Sequence, residues 1–550
     1  MIRLKDIHPE WKRWLWSIAC LLPIFLFYFA HFYIPTKLGF YSTGFIQYDQ
    51  LSYMAFGRQH FDEGFHLFYN NPFSVDADAP HIYFQPHIFL LGILHQFLPF
   101  APGTTYLLFG FVSAVVCVRI YIALYEKIIG FGSFAQNLGF LLFIWGGGLL
   151  AICGFFQNIF IGQTFAEAWG KIFEHEPALG WWFLNLGRNL IFPTEAYYHL
   201  LFFGTILLIL RNKIWWSAAT TTLLSMSQPF SGLQLICILF AWGIMERLVV
   251  KRRIVSSYYV TFLACLLAAH LFYYLFFLNQ FEEHRAIYRQ WTLDWLLEAK
   301  AFIPAYILVG SLAFYSVRNI KLAQTFFQKT HNRLFFIWFL VSFALAKHEL
   351  FVAPHQPIHF ARGYIWSSLF LLGAESLVAL LNYFHKHTSW QKFLWIPFSV
   401  LFLSDNLLWI SLNSFRAMVL SSASSYEVHG FFWMPTEKQL IDWLAQRSSN
   451  GEILICEDDR ITYYTTAYTP YRSWKAHTYT SPNVDQRTRE LVAFFQDGTL
   501  APEMGGKSFL IIFHTRRPQP FEESLKNFGH TRRVFENAQF TAFEVETIHD

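Results

Sequence analysis

The segment 47–53 carries the first residues whose types and spacing could do chemistry. It places the Asp49 carboxylate between Tyr48 and Tyr53, shortly after an apolar run. A carboxylate at a membrane edge could meet a lipid head group, or accept the proton of a hydroxyl that attacks a sugar carbon. It could equally be a solvated loop aspartate that caps the next helix. The spacing alone leaves these interpretations open.

A second acidic group lies further along the chain, at Glu167 and in the run Glu174-His175-Glu176. Three carboxylates and an imidazole so close in sequence could hold a divalent cation such as Mg²⁺ or Mn²⁺, or bind an acceptor rich in hydroxyls. Carboxylates on a loop also commonly form a plain solvated face. Glu174, His175 and Glu176 are therefore the candidate metal ligands.

Five side chains are candidates for contacting a phosphate or another substrate group, namely Tyr53, Arg188, Arg285, His359 and Arg362. His359 and Arg362 stand just before an apolar segment. There they could stabilise the charge that builds on a phosphate as a sugar bond breaks. An arginine beside a membrane helix can also simply extend to lipid head groups.

Near the C-terminus, Arg472, Lys475 and His477 form a smaller basic group. They could contact a glycan or a phosphate. They could also be ordinary surface residues, and the sequence does not separate the two.

The elements that must position these residues follow from composition. The chain has 550 residues, of which 54% are hydrophobic and only 14% charged. Soluble domains carry about 25% charged residues, so this chain cannot cover a water-exposed surface of its size. Disordered chains are poor in aromatic residues, whereas 20% of this chain is aromatic. The composition predicts a polytopic membrane protein.

The charges are unevenly distributed. From residue 414 onwards their density is that of a soluble protein, and before it the density is about half as high. This predicts an all-α membrane domain over 1–413, with a large polar loop at 36–103, and a small soluble α/β domain over 414–550. In the second domain, TEKQLIDWLAQRSS predicts a helix capped by Thr436, while GEILICED, SFLIIFH and TAFEVE predict strands and VDQRTRELVAFF a helix.

Apolar segments in the membrane domain predict about eleven transmembrane helices at ~20 residues each. They lie near 15–34, 104–125, 133–153, 197–210, 214–229, 230–246, 255–278, 301–317, 334–351, 363–382 and 393–413. More Lys and Arg lie in the loops on the side of the N-terminus than on the other side. By the positive-inside rule the N-terminus is cytoplasmic. The long polar loops and the 414–550 domain are then extracytoplasmic.

Several functional classes lack their sequence signature. The chain has no P-loop, no HExxH and no GxSxG motif. Its basic residues stand at helix ends and do not form a patch interleaved with aromatic residues, so we expect no nucleic-acid partner.

Several local sequences carry a family resemblance. They are YDQLSYMAFGRQ with YNNPF, YFQPHIFLLGIL, GRNLIFPTE, SQPFSGLQLI and YRSWKAHTYTSPNVDQRTRELVAFFQDG. Together with the order of parts they resemble bacterial members of the GT-C superfamily, membrane glycosyltransferases that take sugars from polyprenyl-phosphate donors. The resemblance implies a cell-envelope protein of the bacterial cytoplasmic membrane. It also implies that Asp49 is the base, that Arg362 contacts the donor phosphate, and that the acceptor is a glycan, lipid or protein.

The sequence departs from better-known members at one point. No clear acidic pair of the form DxD or ExD stands in the second outer loop, where Glu174-His175-Glu176 is only an approximation. Metal dependence therefore stays open.

Two other functions remain as alternatives, a non-catalytic GT-C-like assembly subunit and a lipid or glycan transporter. A transporter needs ionisable residues within its spans, and Arg119 and Glu375 are the sequence candidates.

Overall fold

The computed structural model describes residues 9–547 except 38, 63, 77, 251–254, 291–293, 319, 387–392, 421–431, 450, 500, 502–503, 505, 517–524 and 526–528. The chain forms two compact units. The first unit comprises Met1–Phe27, Gly110–Phe272 and Leu293–Asn413, and the second comprises Tyr28–Phe109, Tyr273–Thr292 and Ser414–Asp550. The second unit thus contains the whole 36–103 segment as well as the C-terminal region.

Helices make up most of the described chain. In order they are α1 Pro9–Cys20, α2 Leu22–Lys37, α3 Gln50–Arg58, α4 Pro86–Phe97, α5 Pro102–Ile128, α6 Phe134–Trp145, α7 Leu150–Phe160, α8 Phe165–Gly170, α9 Pro193–Leu210, α10 Ile214–Ser227, α11 Pro229–Ile244, α12 Ser257–Leu271, α13 Glu282–Gln290, α14 Ala299–Ser316, α15 Ile320–Gln328, α16 Thr330–Ala346, α17 Tyr364–Lys386, α18 Trp395–Leu420, α19 Pro435–Gln446, α20 Asp459–Tyr468 and α21 Val484–Asp497. Short π-helical segments, Met245–Val249 and Phe272–Phe277, continue α11 and α12.

Strands occur only in the second unit among the described residues. They are β1 Tyr41–Ser42, β2 Phe432–Trp433, β3 Ile453–Cys456, β4 Arg472–Ser473, β5 Ser508–His514, β6 Gly529–Glu536 and β7 Phe540–Thr547. β1 pairs with β2, and the other five form one sheet in the order β4-β3-β5-β7-β6. β4, β3 and β5 are parallel, joined by the crossover helices α20 and α21, whereas β7 is antiparallel to both neighbours. The prediction of a small α/β fold is confirmed.

One predicted helix start in this region is wrong. The helix α19 begins at Pro435, with Met434 in place of Thr436 as the N-cap residue. Proline suits the first helical position because its missing N–H would be unpaired there in any case. The backbone N–H of Met434 donates to Glu437 Oε2 at 2.8 Å.

The prediction of a polytopic helical membrane protein is confirmed, but the number of full-length spans is smaller than eleven. By length and composition, the described part of the chain has seven helices that could cross a membrane, or up to nine if each of two bent helix pairs is one span. Every predicted segment falls on a helix or a bent pair. The surplus arises at α10 and α16, which have 14 and 17 residues and fall short of the ~20 that a span needs.

One of the bent pairs has an identifiable cause. α6 and α7 meet at 60° across Gly146-Gly147-Gly148. A Cβ on Gly148 would lie 2.3 Å from the carbonyl oxygen of Pro304, so the break needs glycine. The buried Asp405 accepts hydrogen bonds from the backbone N–H groups of Gly148 at 2.8 Å and Ala151 at 2.9 Å. A single carboxylate in α18 thus caps the second half-helix.

Candidate functional site

Asp49 stands directly before α3, but its side chain makes no capping hydrogen bond to that helix. Instead Gln47 Nε2 donates to Asp49 Oδ2 at 2.9 Å. The carboxylate remains 44% exposed. The capping interpretation is therefore wrong. Gln47 binds one carboxylate oxygen, and the side chain stays partly exposed to solvent.

A titratable side chain beside this carboxylate comes from the far end of the sequence. His477 Nε2 lies 3.4 Å from Asp49 Oδ1, and the imidazole is 3% exposed. Its other nitrogen, Nδ1, accepts hydrogen bonds from the backbone N–H groups of Tyr479 at 3.0 Å and Thr480 at 3.2 Å. A nitrogen that accepts carries no proton, so the neutral ring has its proton on Nε2, facing Asp49.

Aromatic rings enclose this pair. Tyr48 lies with its ring centre 4.6 Å from that of Tyr463 and 4.9 Å from that of His477. The Tyr463 hydroxyl donates to the backbone carbonyl of Tyr48 at 2.6 Å, and the Thr478 backbone N–H donates to the Tyr48 hydroxyl at 3.1 Å. These bonds fix the backbone just before Asp49.

The other two members of the basic C-terminal group are structural ties. Arg472 donates to the backbone carbonyl of Asn71 at 3.2 Å and to Gln59 Oε1 at 3.1 Å. Lys475 Nζ donates to Asp459 Oδ2 at 2.6 Å. Arg472, Lys475 and His477 are all buried, so the interpretation as surface residues is wrong. Arg472 and His477 join the 36–103 segment to the C-terminal fold within the second unit, whereas Lys475 pairs within that fold.

Tyr53 and Arg285 also belong to the second unit. The Tyr53 ring is nearly parallel to that of Tyr106, with 6.2 Å between centres. Arg285 pairs with Glu282 and donates to the backbone carbonyl of Asn279 at 3.2 Å. Its guanidinium thus stabilises the end of the preceding helical segment.

Beside Arg285, two neighbours are more buried than their sequence suggests. Glu283 Oε1 accepts from Asn71 Nδ2 at 3.3 Å, and burial raises the pKa of this carboxyl. His284 Nδ1 is hydrogen-bonded to the Tyr83 hydroxyl at 3.0 Å, and burial lowers the pKa of the imidazole to about 4. His284 is consequently neutral at physiological pH.

The remaining candidates lie in the first unit, where Arg188 forms a closed ion pair. Its guanidinium donates to Glu176 at 2.5 and 2.9 Å, and both side chains are fully buried. The rings of Phe173, Phe183 and Trp409 have their centres 5.2–5.8 Å from the guanidinium carbon. Burial raises the pKa of Glu176 to about 7, and Arg188 opposes that rise.

The acidic run that includes Glu176 is divided among different partners. Glu174 Oε2 accepts from Asn158 Nδ2 at 3.3 Å, and His175 is buried. Within the part of the chain that the structure describes, no group of three or more His, Cys, Asp or Glu side chains could hold a metal ion. A metal site at Glu174, His175 and Glu176 stays a prediction, and Glu176 would have to leave Arg188 to join it.

Arg362 and His359 occupy neighbouring positions in the first unit. Arg362 pairs with Glu195, and its guanidinium carbon lies 3.9 Å from the centre of the Trp182 ring. The His359 ring stacks on Phe230 with 4.2 Å between centres and is perpendicular to Trp182 at 4.6 Å. The Arg362 side chain is 19% exposed, which distinguishes it from the sealed Arg188.

The two ionisable residues that the sequence indicates within spans are both paired. Arg119 binds Glu10 at 2.7 Å, and Glu375, which is 47% exposed, binds Lys329 at 2.5 Å. Sequence reasoning missed the buried Asp405, described above, because one carboxylate in a long apolar run gives no pattern. Its only sequence signal is that the next residue, Asn406, is also polar. In the structure Asn406 donates to the Trp145 backbone carbonyl at 2.7 Å.

The chain was compared with known proteins in three ways. No protein-family model matches it. No curated protein matches it either. Among solved structures, the crystal structure of ArnT from Cupriavidus metallidurans in the apo state is similar over 96% of this chain and 97% of that chain, with 10% identical residues and a TM-score of 0.47. At that identity no residue role is transferred from one chain to the other.

Proposed function

We propose that this membrane protein is a glycosyltransferase of the GT-C type that acts on the outer face of a bacterial cytoplasmic membrane. It transfers a sugar from a polyprenyl-phosphate donor to a glycan, lipid or protein acceptor. The orientation is part of the proposal and follows the distribution of Lys and Arg over the eleven segments predicted from the sequence. The donor class rests on the family resemblance of the local sequences.

The observation that carries the proposal is the state of the Asp49 carboxylate. It is held by Gln47 and faces His477, yet it is not used to cap α3 and stays 44% exposed. In the proposed reaction Asp49 accepts the proton of the acceptor hydroxyl while the hydroxyl oxygen bonds to the anomeric carbon of the sugar. The bond from that carbon to the phosphate oxygen breaks, and the polyprenyl phosphate leaves with the electron pair.

We further propose that Arg362, with His359 beside it, contacts the donor phosphate. The partial exposure of Arg362 and its position over Trp182 support this role. Charge that develops on the leaving phosphate would be stabilised by a guanidinium already in place. Arg188 is left out, because Glu176 binds both of its terminal nitrogens and the pair is fully buried.

The test is sugar transfer from polyprenyl-phosphate donors by the purified wild type and by D49N. Loss of a general base lowers the turnover number by about 10²- to 10⁴-fold, and we expect D49N to fall in this range. D442N is the matched control, because Asp442 is a half-exposed carboxylate of the same unit that pairs with Lys438. Undiminished transfer by D49N would exclude Asp49 as the base. A wild type that binds donor but transfers no sugar would favour the assembly subunit.

A further inference from the structure

We propose that His477 is a positioning residue for Asp49, and that the turn at 477–480 holds its imidazole with Nε2 directed at the carboxylate. The catalytic meaning of this inference rests on the proposed function. The state of the imidazole does not, because it follows from hydrogen bonds within the second unit.

The proton on His477 is fixed by the chain segment that follows it. The backbone N–H groups of Tyr479 and Thr480 both point at Nδ1, at 3.0 and 3.2 Å. Protonation of Nδ1 would convert that acceptor into a donor and leave the two N–H groups facing a third. The turn at 477–480 therefore selects the tautomer with its proton on Nε2.

The surroundings of the ring keep it in this orientation. The imidazole is 3% exposed. The ring centres of Tyr48, Tyr463 and Phe73 lie 4.9, 5.1 and 5.4 Å from its own. Rotation of the ring by half a turn would move Nδ1 away from both N–H groups, so the packed aromatic rings and the turn favour the same state.

This arrangement defines what His477 does to Asp49. Nε2 faces Oδ1 at 3.4 Å, while Gln47 Nε2 donates to Oδ2 at 2.9 Å. The nitrogens of His477 and Gln47 thus lie beside different oxygens of the carboxylate, and its plane is set before an acceptor arrives. Because Nε2 already bears a proton, His477 cannot take the proton that Asp49 receives. A relay from Asp49 to imidazole is thereby excluded, and His477 orients the base.

The two nitrogens of His477 can be replaced separately. In H477Q the side-chain amide keeps a donor near the position of Nε2 but lacks the acceptor at Nδ1. In H477N the amide oxygen keeps the acceptor near Nδ1 but lacks the donor at Nε2. A positioning role predicts that H477Q transfers sugar at a turnover number within about 3-fold of wild type. H477N should lose about 10- to 100-fold with little change in KM, the usual effect of losing a hydrogen bond to a charged group.

A merely structural role predicts the reverse order, because the acceptor at Nδ1 is what holds the turn at 477–480. Equal loss in both variants, or greater loss in H477Q, would overturn the inference. Thermal unfolding of each variant shows that it is folded. H530Q is the matched control, since His530 is an exposed histidine of the same unit.

The tautomer is measured independently of activity, by ¹⁵N NMR of the full chain labelled at histidine, with the His477 signals assigned from their loss in H477Q. We expect the tautomer with its proton on Nε2, because Nδ1 accepts from two backbone N–H groups. A proton on Nδ1 in the neutral ring would overturn the inference. The expected tautomer in a protein without transferase activity would reject the proposed function alone.

Discussion

Glu176 and Asp49, one carboxylate from each unit, both face a nitrogen-bearing side chain, and they differ in exposure. Glu176 of the first unit binds the guanidinium of Arg188 at 2.5 and 2.9 Å, and neither side chain is exposed. Asp49 of the second unit faces the imidazole of His477 at 3.4 Å and is 44% exposed. The nitrogen-bearing partner is therefore buried in both pairs, whereas the carboxylate is buried only in the pair of Glu176.

The difference separates stability from chemistry. A carboxylate whose oxygens are both taken by a sealed arginine has no lone pair directed at a substrate, so its removal affects the fold. A carboxylate with one face in solvent contributes little to stability and can receive a proton from outside. The sequence presents Asp49 as a candidate base and Arg188 as a candidate phosphate contact. Burial distinguishes them, because Asp49 is accessible to a substrate and Arg188 is not.

The largest expected effect is on the sealed pair. R188M removes the partner of a fully buried carboxylate and should lower the free energy of unfolding by roughly 3–5 kcal/mol. Chemical unfolding in detergent measures it. The double variant E176Q/R188M removes the charge as well and should recover most of the loss. If R188M lowers the free energy of unfolding no more than D49N does, the contrast between the two pairs is contradicted.

A second effect is the pH dependence that Glu176 gives to stability. Burial raises its pKa from 4.5 to about 7, so the folded state keeps this proton to a higher pH than the unfolded state does. The contribution of Glu176 to stability is therefore largest below about pH 4.5 and is lost as the pH rises through about 7, by at most roughly 3 kcal/mol. The difference in unfolding free energy between wild type and E176Q isolates this contribution. A difference that is constant over this pH range would contradict it.

The smallest expected effect concerns Asp49, the half-exposed carboxylate of the second unit. D49N should change the free energy of unfolding by less than about 1 kcal/mol, because the carboxylate is half-exposed and polar contacts of exposed charges are weakened by solvent. The same unfolding experiment measures it, with D442N as reference. A loss comparable to that of R188M would mean that Asp49, too, is mainly structural.

Much of the fold could be predicted because burial in lipid and burial in a sheet both leave local signals. Long apolar runs identify the spans, and SFLIIFH, for example, becomes β5 Ser508–His514. Two features have no local signal. The parallel order of β4, β3 and β5 depends on crossovers. The three glycines indicate the break between α6 and α7, but its cap comes from Asp405, which lies far along the chain.

The same limit applies to the site. Asp49 could be found because it is a carboxylate next to an apolar run. His477 could not be assigned to it, because the two segments meet only in the folded second unit, where Tyr48 contacts Thr478 across 430 positions. Whether Arg188 is sealed or accessible depends on Phe173, Phe183 and Trp409, which surround it. Such enclosure is a property of the packed helices.

The cap that Asp405 places on the half-helix α7 has a consequence for biosynthesis. The ribosome makes Gly148 first and Asp405 257 residues later. Throughout that interval the nascent break has no Asp405 carboxylate to receive its N–H groups, although α6 and α7 have already been translated. The cap of α7 thus comes from α18, the last long helix of the first unit to be synthesised.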